Sequence, residues 1–512
     1  MKKRELKLHP AILFFILTIV IMIISSVGSI LNLETTYYNV NVVTGELESQ
    51  VVTINNLFNR SGIQYLVSNM LNNFISFAPL GTLIIGLMGV GVAYKSGFLN
   101  SMFKIITKDK PKKVFTFIVV LLGVISSMFY EAGYVVLLPI AAILFMNLGR
   151  HPSAGVSAAF AGITFGYGAN VLVNGVDNIL LTYTQSATKI LDQNYLVSIS
   201  GNLIFMIFAT LLIAYLGMVI TEKFVVPKLG KYTIDEEENV NLSAELTKKE
   251  IKGVGVAILL TILILLPLVY CIIPGLPFSG LLLDLKQNTY IAQLFGDTSY
   301  FKQGSVLIFS ALLGFAGLIY GIRVKTIKNN KDLMNSMSYY LKGFASLLIL
   351  IFFAAQFCLI FKETNIGVFI VVSLTELLDG LQLTGITLIV LTFIIIGICT
   401  IFVPALSTKW AIMSPVIVPM FMQNSFTPEF SQAVFRAADS ATKGITPLFT
   451  YFVILLGFLQ IYNTKKKDII TLTDGMSLML PYTIAFSILW LLIILAFYII
   501  GLPLGFSTGV ML

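Results

Sequence analysis

Four charged side chains, Lys409, Arg436, Asp439 and Lys443, stand in one otherwise apolar stretch. Residues 404–447 read PALSTKWAIMSPVIVPMFM, a short polar break QNSFTPE, and FSQAVFRAADSATKGITP. A charged side chain at the centre of a bilayer costs roughly 2.5 to 3.5 kcal/mol on insertion scales, so several in one such stretch predict a buried polar site rather than a lipid-facing surface. The plainer alternative is that the charges only pair with one another to hold helices together. A second polar set, GYGANVLVNGVDN, lies at 166–178 inside another apolar run. Gly166, Gly168 and Gly175, with Asn170, Asn174 and Asp177, are poor helix formers and predict an unwound segment at mid-membrane.

The elements that must position these residues follow from composition. Hydrophobic residues make up 57% and charged residues 11%, and mean hydropathy is +0.91, which predicts an all-α polytopic membrane protein. The net charge of +8 is not a nucleic-acid footprint, because the basic residues fall in short loops between apolar runs. That is the positive-inside pattern of a multi-pass cell-membrane protein, with MKKRELK holding the amino terminus in the cytoplasm. Cys271, Cys358 and Cys399 all lie in apolar segments without a CxxC pair and are expected to be small buried hydrophobes. His9 and His151 stand alone at expected membrane edges, which argues against a zinc or haem site. Residues 11–31 are too long for the core of a signal peptide and are expected to form a retained first span.

Nine full spans and two re-entrant hairpins are expected. The first half, 1–221, holds a polar outer loop at 32–65, a span beginning near Leu66, a hairpin at about 114–149 hinged at Tyr130-Glu131-Ala132-Gly133, and a broken helix at about 153–190. Residues 222–252 form a cytoplasmic linker. The second half, 253–512, holds further spans, an interfacial segment at 366–383, a hairpin at about 387–423 and a broken helix at about 428–461. Each apolar arm of the first hairpin is short for a full span, and non-helical backbone at membrane depth is tolerated only where protein or a water-filled cavity covers it.

At a constant offset of 276 residues, Tyr134 falls on Trp410, Pro139 on Pro415 and His151-Pro152 on Thr427-Pro428. The unwound region near Gly166 falls close to Ala441 and Gly444, and the span after Leu196 falls on the last span. The mouths of the two hairpins are expected on opposite sides, so the duplication is inverted. Inverted repeats whose broken helices meet at the midplane are the architecture of a secondary transporter.

With these residues in view, the chain resembles the AbgT family, the p-aminobenzoyl-glutamate transporters. The resemblance rests on FAPLG with GVGVAYKSG, AGYVVLLPIAAILF with LGRHPSAG, AAFAG with GYGAN, TEKFVVPKLG, and STKWAIMSPVIVPM with RxxDSxTxxITPL. It implies a homodimer of nine-span subunits with two hairpins. It also implies transport of p-aminobenzoyl-glutamate or related antimetabolites driven by a cation gradient, proton or sodium, with no other cofactor. Asp177, Ser407, Trp410, Arg436, Asp439, Ser440 and Pro447 match the family's functional pattern.

On that footing Arg436 offers a planar fork for a substrate carboxylate, and Trp410 a face for an aromatic ring. Ser407, Ser440, Asn170 and Lys443 supply further substrate contacts. Asp177, Asp439 and Glu131 are candidates for cation coupling, with a sodium ion placed near Asp177, Asn170 and Asp439. Gly166, Gly168 and Pro447 mark the helix breaks. A competing reading has Asp439 only neutralising Arg436 at i, i+3. The chain departs from the family at Lys443, usually Asn, at Glu131, usually Asp, and at Thr400, Pro404 and Ala405, usually Asn, Gly and Ser. The expected partners are a small anionic substrate and the lipid bilayer. No HExxH, prenyltransferase DxxxD pair, suitably placed GxSxG or GxxxxGK[ST] occurs, which argues against an enzyme or an ATP-driven pump. Efflux of sulfonamide-type antimetabolites and dicarboxylate symport are the alternatives.

Overall fold

The structure, a computed structural model, describes residues 8–40, 47–129, 131–232, 245–296, 298–463 and 469–512. The amino-terminal MKKRELK, the hinge residue Tyr130, part of the charged linker and Lys465, Lys466 and Lys467 lie outside them. α1 (Pro10–Ile30) leads into an antiparallel pair, β1 (Glu34–Val40) and β2 (Leu47–Thr53), and then α2 (Arg60–Ile75), α3 (Pro79–Lys95) and α4 (Phe98–Thr107). The first expected hairpin is α5 (Lys112–Ser126) followed, after a π turn at Gly133–Leu137, by α6 (Leu138–Asn147). α7 (Pro152–Phe165), α8 (Gly175–Thr188), α9 (Leu203–Ile220) and α10 (Val226–Leu229) complete the first half. The second half contains α11 (Lys248–Tyr270), α12 (Tyr290–Phe295), α13 (Tyr300–Val324), α14 (Asn330–Met337), α15 (Phe344–Glu363) and α16 (Ile366–Gly380). It ends with α17 (Gly385–Phe402), α18 (Leu406–Gln423), α19 (Pro428–Thr442), α20 (Phe452–Ile461) and α21 (Leu472–Ile500).

Among the described residues, nine helical runs are long and apolar enough to cross a membrane. Their number matches the expectation but their membership does not. α5 and α17, the leading arms of the expected hairpins, are among them, whereas the two broken spans are divided into shorter helices. The outer loop at 32–65 also differs. ETTYYNV and LESQVVT carry the β-branched and aromatic residues that favour strands, and they pair with Glu34 opposite Thr53. Asn59 then caps α2 by accepting from the Gly62 N–H at 2.7 Å, so helix begins before Leu66. It breaks at 76–78, and Pro79, which needs no N–H partner, opens α3.

α3 and α13 form a close scaffold pair. A Cβ on Gly317 would lie 2.6 Å from the Ala93 backbone, so only small residues allow this approach. The Ser310 hydroxyl accepts from the Gly89 N–H at 3.1 Å and ties the two helices. Elsewhere the elements that carry the breaks are wholly enclosed, α7 mainly by α5 and α6 and α19 mainly by α17, α21 and α18. Every residue of α7 is buried, as is every residue of α19 from Pro428 to Ala441.

Both helices start alike. His151 accepts from the Ser153 N–H and Thr427 from the Phe430 N–H, each immediately before a proline at the first helical position. Both then break, α7 into the non-helical 166–174 and α19 into a short 3-10 turn at Lys443–Ile445 followed by the non-helical 446–451. The polar groups left at the breaks are satisfied from neighbouring helices. Trp490 of α21 donates its indole N–H to the Phe165 carbonyl at 3.0 Å, and Thr446 donates to the Ile401 carbonyl at 2.6 Å.

Candidate functional site

The carboxylate of Asp439 lies between two ammonium groups and is wholly buried. Lys409 reaches Oδ1 at 2.5 Å from the first turns of α18, and Lys443 reaches Oδ2 at 2.7 Å from the 3-10 turn that follows the aspartate's helix. The backbone prepares the place of Lys409. Pro404 holds Val403 extended (φ −125°, ψ 84°), which ends α17 and turns the Val403 carbonyl to Lys409 Nζ at 2.9 Å. Thr400 Oγ1 accepts from the same Nζ at 2.8 Å. The ammonium is thus held by a carboxylate, a carbonyl and a hydroxyl, the compensation that a fully buried charge requires.

Arg436 does not pair with Asp439, which corrects one reading of the sequence. Its Nη1 donates to Asp177 Oδ1 at 2.7 Å, across from α19 to the first turn of α8. The direction of the helix explains the choice. Asp439 and Lys443 have the acid before the base at i, i+4, the favourable order, whereas Arg436 precedes Asp439 in the unfavourable one. Asp177 is itself fixed by a capping box, Asp177 Oδ2 accepting from the Asn174 N–H at 2.8 Å. The other edge of the guanidinium is empty: Nε and Nη2 are buried without a hydrogen-bond partner, in a residue that is 1% exposed.

The break between α7 and α8 is fastened to α19 one turn beyond Arg436. The Gly168 N–H donates to Ser440 Oγ at 2.7 Å, and Ser440 donates on to the Arg436 carbonyl at 2.8 Å. A Cβ on residue 168 would stand 2.5 Å from that carbonyl, so glycine is required here for close approach. Asn170 turns the other way. Its Nδ2 donates to Ser127 Oγ and the Ile125 carbonyl at 3.3 and 3.4 Å, and its Oδ1 accepts from the Val171 N–H. Gly166 ends α7, and Pro447 lies in the non-helical 446–451, its carbonyl 3.8 Å from Cys358 Sγ.

A cavity of about 260 Å³ opens beside this network, with Ser407, Lys443, Pro404, Tyr134, Tyr167 and Tyr451 in its wall. Lys443 Nζ lies 4.2 Å from the centre of the Tyr167 ring, within cation–π range. Tyr134 and Tyr451 stack at 4.3 Å and 11°, and Tyr451 hydrogen-bonds to Glu131. Trp410, Arg436 and Asp439 are absent from this wall and stand behind it. Trp410 is wholly buried, its ring 4.3 Å from that of Phe435 and its N–H donated to Thr184 at 2.9 Å.

The structure therefore brings Asp177 to Arg436, Lys443 to Asp439, and Ser440 to Gly168, and places Ser407 and Lys443 on one cavity. It divides the oxygens expected around a sodium ion, because Asp177 and Asp439 each face side-chain cations while Asn170 faces Ser127. The tyrosines of the cavity and the ligation of Lys409 were not read from the sequence. Tyr167, enclosed by Gly166 and Gly168, carried the one available signal.

Comparison with known proteins gives the family. The model of the AbgT transporter family matches residues 5–512. The p-aminobenzoyl-glutamate transport protein of Escherichia coli (strain K12) is 30% identical over 497 residues, 97% of this chain and 93% of that protein. The solved YdaH transporter of Alcanivorax borkumensis is 29% identical, with 97% of this chain and 100% of that chain covered and a TM-score of 0.50. MtrF of Neisseria gonorrhoeae, solved as one of a class of antimetabolite efflux pumps, is 32% identical with 98% of each chain covered and a TM-score of 0.50. A polytopic helical chain whose two broken helices meet over buried ion pairs, matched along its whole length by one family, belongs to the AbgT family of transporters.

Proposed function

We propose that this chain is a secondary active transporter that carries p-aminobenzoyl-glutamate or a related aromatic amide carboxylate by cation-coupled alternating access. The empty guanidinium edge of Arg436 carries the reading. Two buried N–H donors without an acceptor form a fork that fits one carboxylate, while Nη1 is kept in place by Asp177. Across the network, Lys409, Lys443 and Arg436 outnumber Asp439 and Asp177, so the region holds one excess positive charge and favours an anion. The aromatic part of the ligand suits the cavity's tyrosines.

Lys409 and Lys443 occupy both oxygens of Asp439, which supports a proton rather than a sodium ion as the driver. The recurrence of hairpin, short helix, break and long helix in α5–α9 and α17–α21 supports a repeat, inverted in this proposal. The resemblance to the family carries the homodimer, and the positive-inside pattern carries the cytoplasmic amino terminus in the cell membrane. Likeness to MtrF favours a second reading, export of sulfonamide-type antimetabolites through the same site.

Proteoliposome flux tests both. Labelled p-aminobenzoyl-glutamate should show saturable counterflow that persists without sodium, stops when the proton gradient is collapsed, and is lost in Arg436→Ala. Flux of a sulfonamide alone selects the second reading. Strict sodium dependence removes the proton, and undiminished flux in the variant removes Arg436.

A further inference from the structure

We propose that a separate chamber, where the carboxy-terminal ends of α3 and α20 meet the segment after α14, is a second binding site for aromatic carboxylates. The chamber encloses about 370 Å³, more than the cavity beside Lys443. Tyr94, Tyr232, Tyr339, Tyr340 and Tyr462 supply half of its ten lining residues. Their rings meet at oblique to perpendicular angles. Tyr94 and Tyr339 lie 5.4 Å apart at 40°, and Tyr339 and Tyr340 5.1 Å apart at 79°. Such an array suits an aromatic guest, whose positive rim meets ring faces and whose negative faces meet ring edges.

Charge selects the guest further. Lys95 and Lys342 also line the chamber, and no carboxylate among the described residues does. Lys95, a solvent-exposed residue, holds its Nζ 4.7 Å from the centre of the Tyr339 ring, at the mouth of the chamber. A guest with a flat ring and a carboxylate answers both features, the ring to the tyrosines and the anion to the lysines.

The chamber is distinct from the inner site yet joined to it. Tyr232 of its wall packs edge-on against His151 at 5.2 Å, and His151 caps the start of α7. α7 then runs 14 residues, about 21 Å at the α-helical rise, to the break that Gly168 fastens to Ser440. Lys95 and Lys342 in its wall place the chamber on the cytoplasmic side by the positive-inside rule. Its use as a waypoint for the transported anion rests on the transport reading above, whereas its ligand chemistry rests on its own walls.

The probe is p-azidobenzoate, photolysed on the purified full-length protein in detergent. Label is expected on peptides holding Tyr94–Lys95 or Tyr339–Lys342, with protection by unlabelled p-aminobenzoate. Lys95→Gln with Lys342→Gln should weaken that protection about tenfold, as loss of a charge-assisted contact implies. Tyr339→Leu, which keeps both lysines, should also weaken it. Labelling in Arg436→Ala should persist at the chamber. Absence of label there, or label displaced by phosphatidylglycerol vesicles and not by p-aminobenzoate, overturns the chamber and leaves the inner site untouched. Chamber label with undiminished flux in Arg436→Ala supports the chamber and removes the inner-site reading alone.

Discussion

Lys443, the first residue of the 3-10 turn after α19, forms an ion pair with Asp439 one turn earlier, Nζ to Oδ2 at 2.7 Å, at the end of a helix with no exposed residue between Pro428 and Ala441. The pair is not self-contained, because Lys409 holds the other oxygen from α18. A lone buried lysine there would be costly. Shared with a second ammonium across one carboxylate, it becomes part of the contact that locks hairpin to broken helix.

Asp439→Asn should therefore destabilise strongly. It leaves two buried ammonium groups facing each other without a counter-charge, and breaking a buried pair costs about 3 to 5 kcal/mol. Adding Lys443→Met to Asp439→Asn removes one of the two stranded charges and should recover part of the loss. Thermal unfolding in detergent measures both. Equal midpoints for the single and double variants mean that Lys443 carries no cost there and that its bond to Asp439 is weak.

Arg436 separates stability from transport. Arg436→Lys keeps a charge able to reach Asp177 and should stay folded, but it lacks the planar fork and should lose substrate flux by about tenfold or more, as loss of one charge-assisted hydrogen bond implies. Arg436→Met strands Asp177 and should unfold at lower temperature, and Asp177→Asn in that background should restore the midpoint without restoring flux. Flux in Arg436→Lys equal to that of the unmodified protein means that a point charge suffices and that Nε and Nη2 do not receive the carboxylate.

Much of this was legible in the sequence, and the limits have physical causes. The breaks were readable because Gly166, Gly168 and Gly175 with Asn170 and Asn174 are poor helix formers whatever surrounds them. The duplicated starts His151-Pro152 and Thr427-Pro428 were readable because capping is local. Pairing was not. Asp439 had Arg436 at i−3 and Lys443 at i+4, and only the position of Lys409, 30 residues away in sequence, shows where its carboxylate faces. The β1–β2 pair was hidden by its polarity, since most of its side chains point to solvent. The nine-span count hid a difference in membership, because the arm at α5 reads as short for a span in the sequence, whereas α5 with the 3-10 turn after it runs 18 residues, Lys112–Phe129.

Gly168→Ala tests the fastening of the two broken helices. The added Cβ would fall 2.5 Å from the Arg436 carbonyl and 2.8 Å from Ser440 Oγ. Either α8 and its leading segment move away from α19 or the Arg436–Asp177 bond lengthens, so flux should fall. Ser440→Ala in the same chain frees only the hydroxyl and not the carbonyl, and it also strands the Gly168 N–H, which costs about 1 to 3 kcal/mol. The double variant should therefore be no better than the single. Recovery in the double means that the hydroxyl alone was the obstacle.

Positions that correspond at the 276-residue offset differ in chemistry, and threonine shows it. In the first half Arg150 donates to Glu222 from both guanidinium ends, and Thr116 donates its hydroxyl to the same carboxylate at 2.5 Å. The offset of 276 carries Arg150 to Phe426, Glu222 to Tyr498 and Thr116 to Thr392. Phe426 and Tyr498 are again in contact, now as rings 5.4 Å apart at 67°. An ion pair in one half has an aromatic pair as its counterpart, and Thr392 is left with a buried hydroxyl that has no partner. Replacing a buried polar group that is unsatisfied by an apolar one of the same shape is neutral or stabilising, whereas removing a partner from a charged group costs about 1.5 to 3 kcal/mol. Thr392→Val should hold or raise the unfolding midpoint and Thr116→Val should lower it, although the two positions correspond at the offset of 276. An equal fall at both positions means that the hydroxyl of Thr392 has found a partner, and no change at either means that the ion pair of the first half does not depend on Thr116.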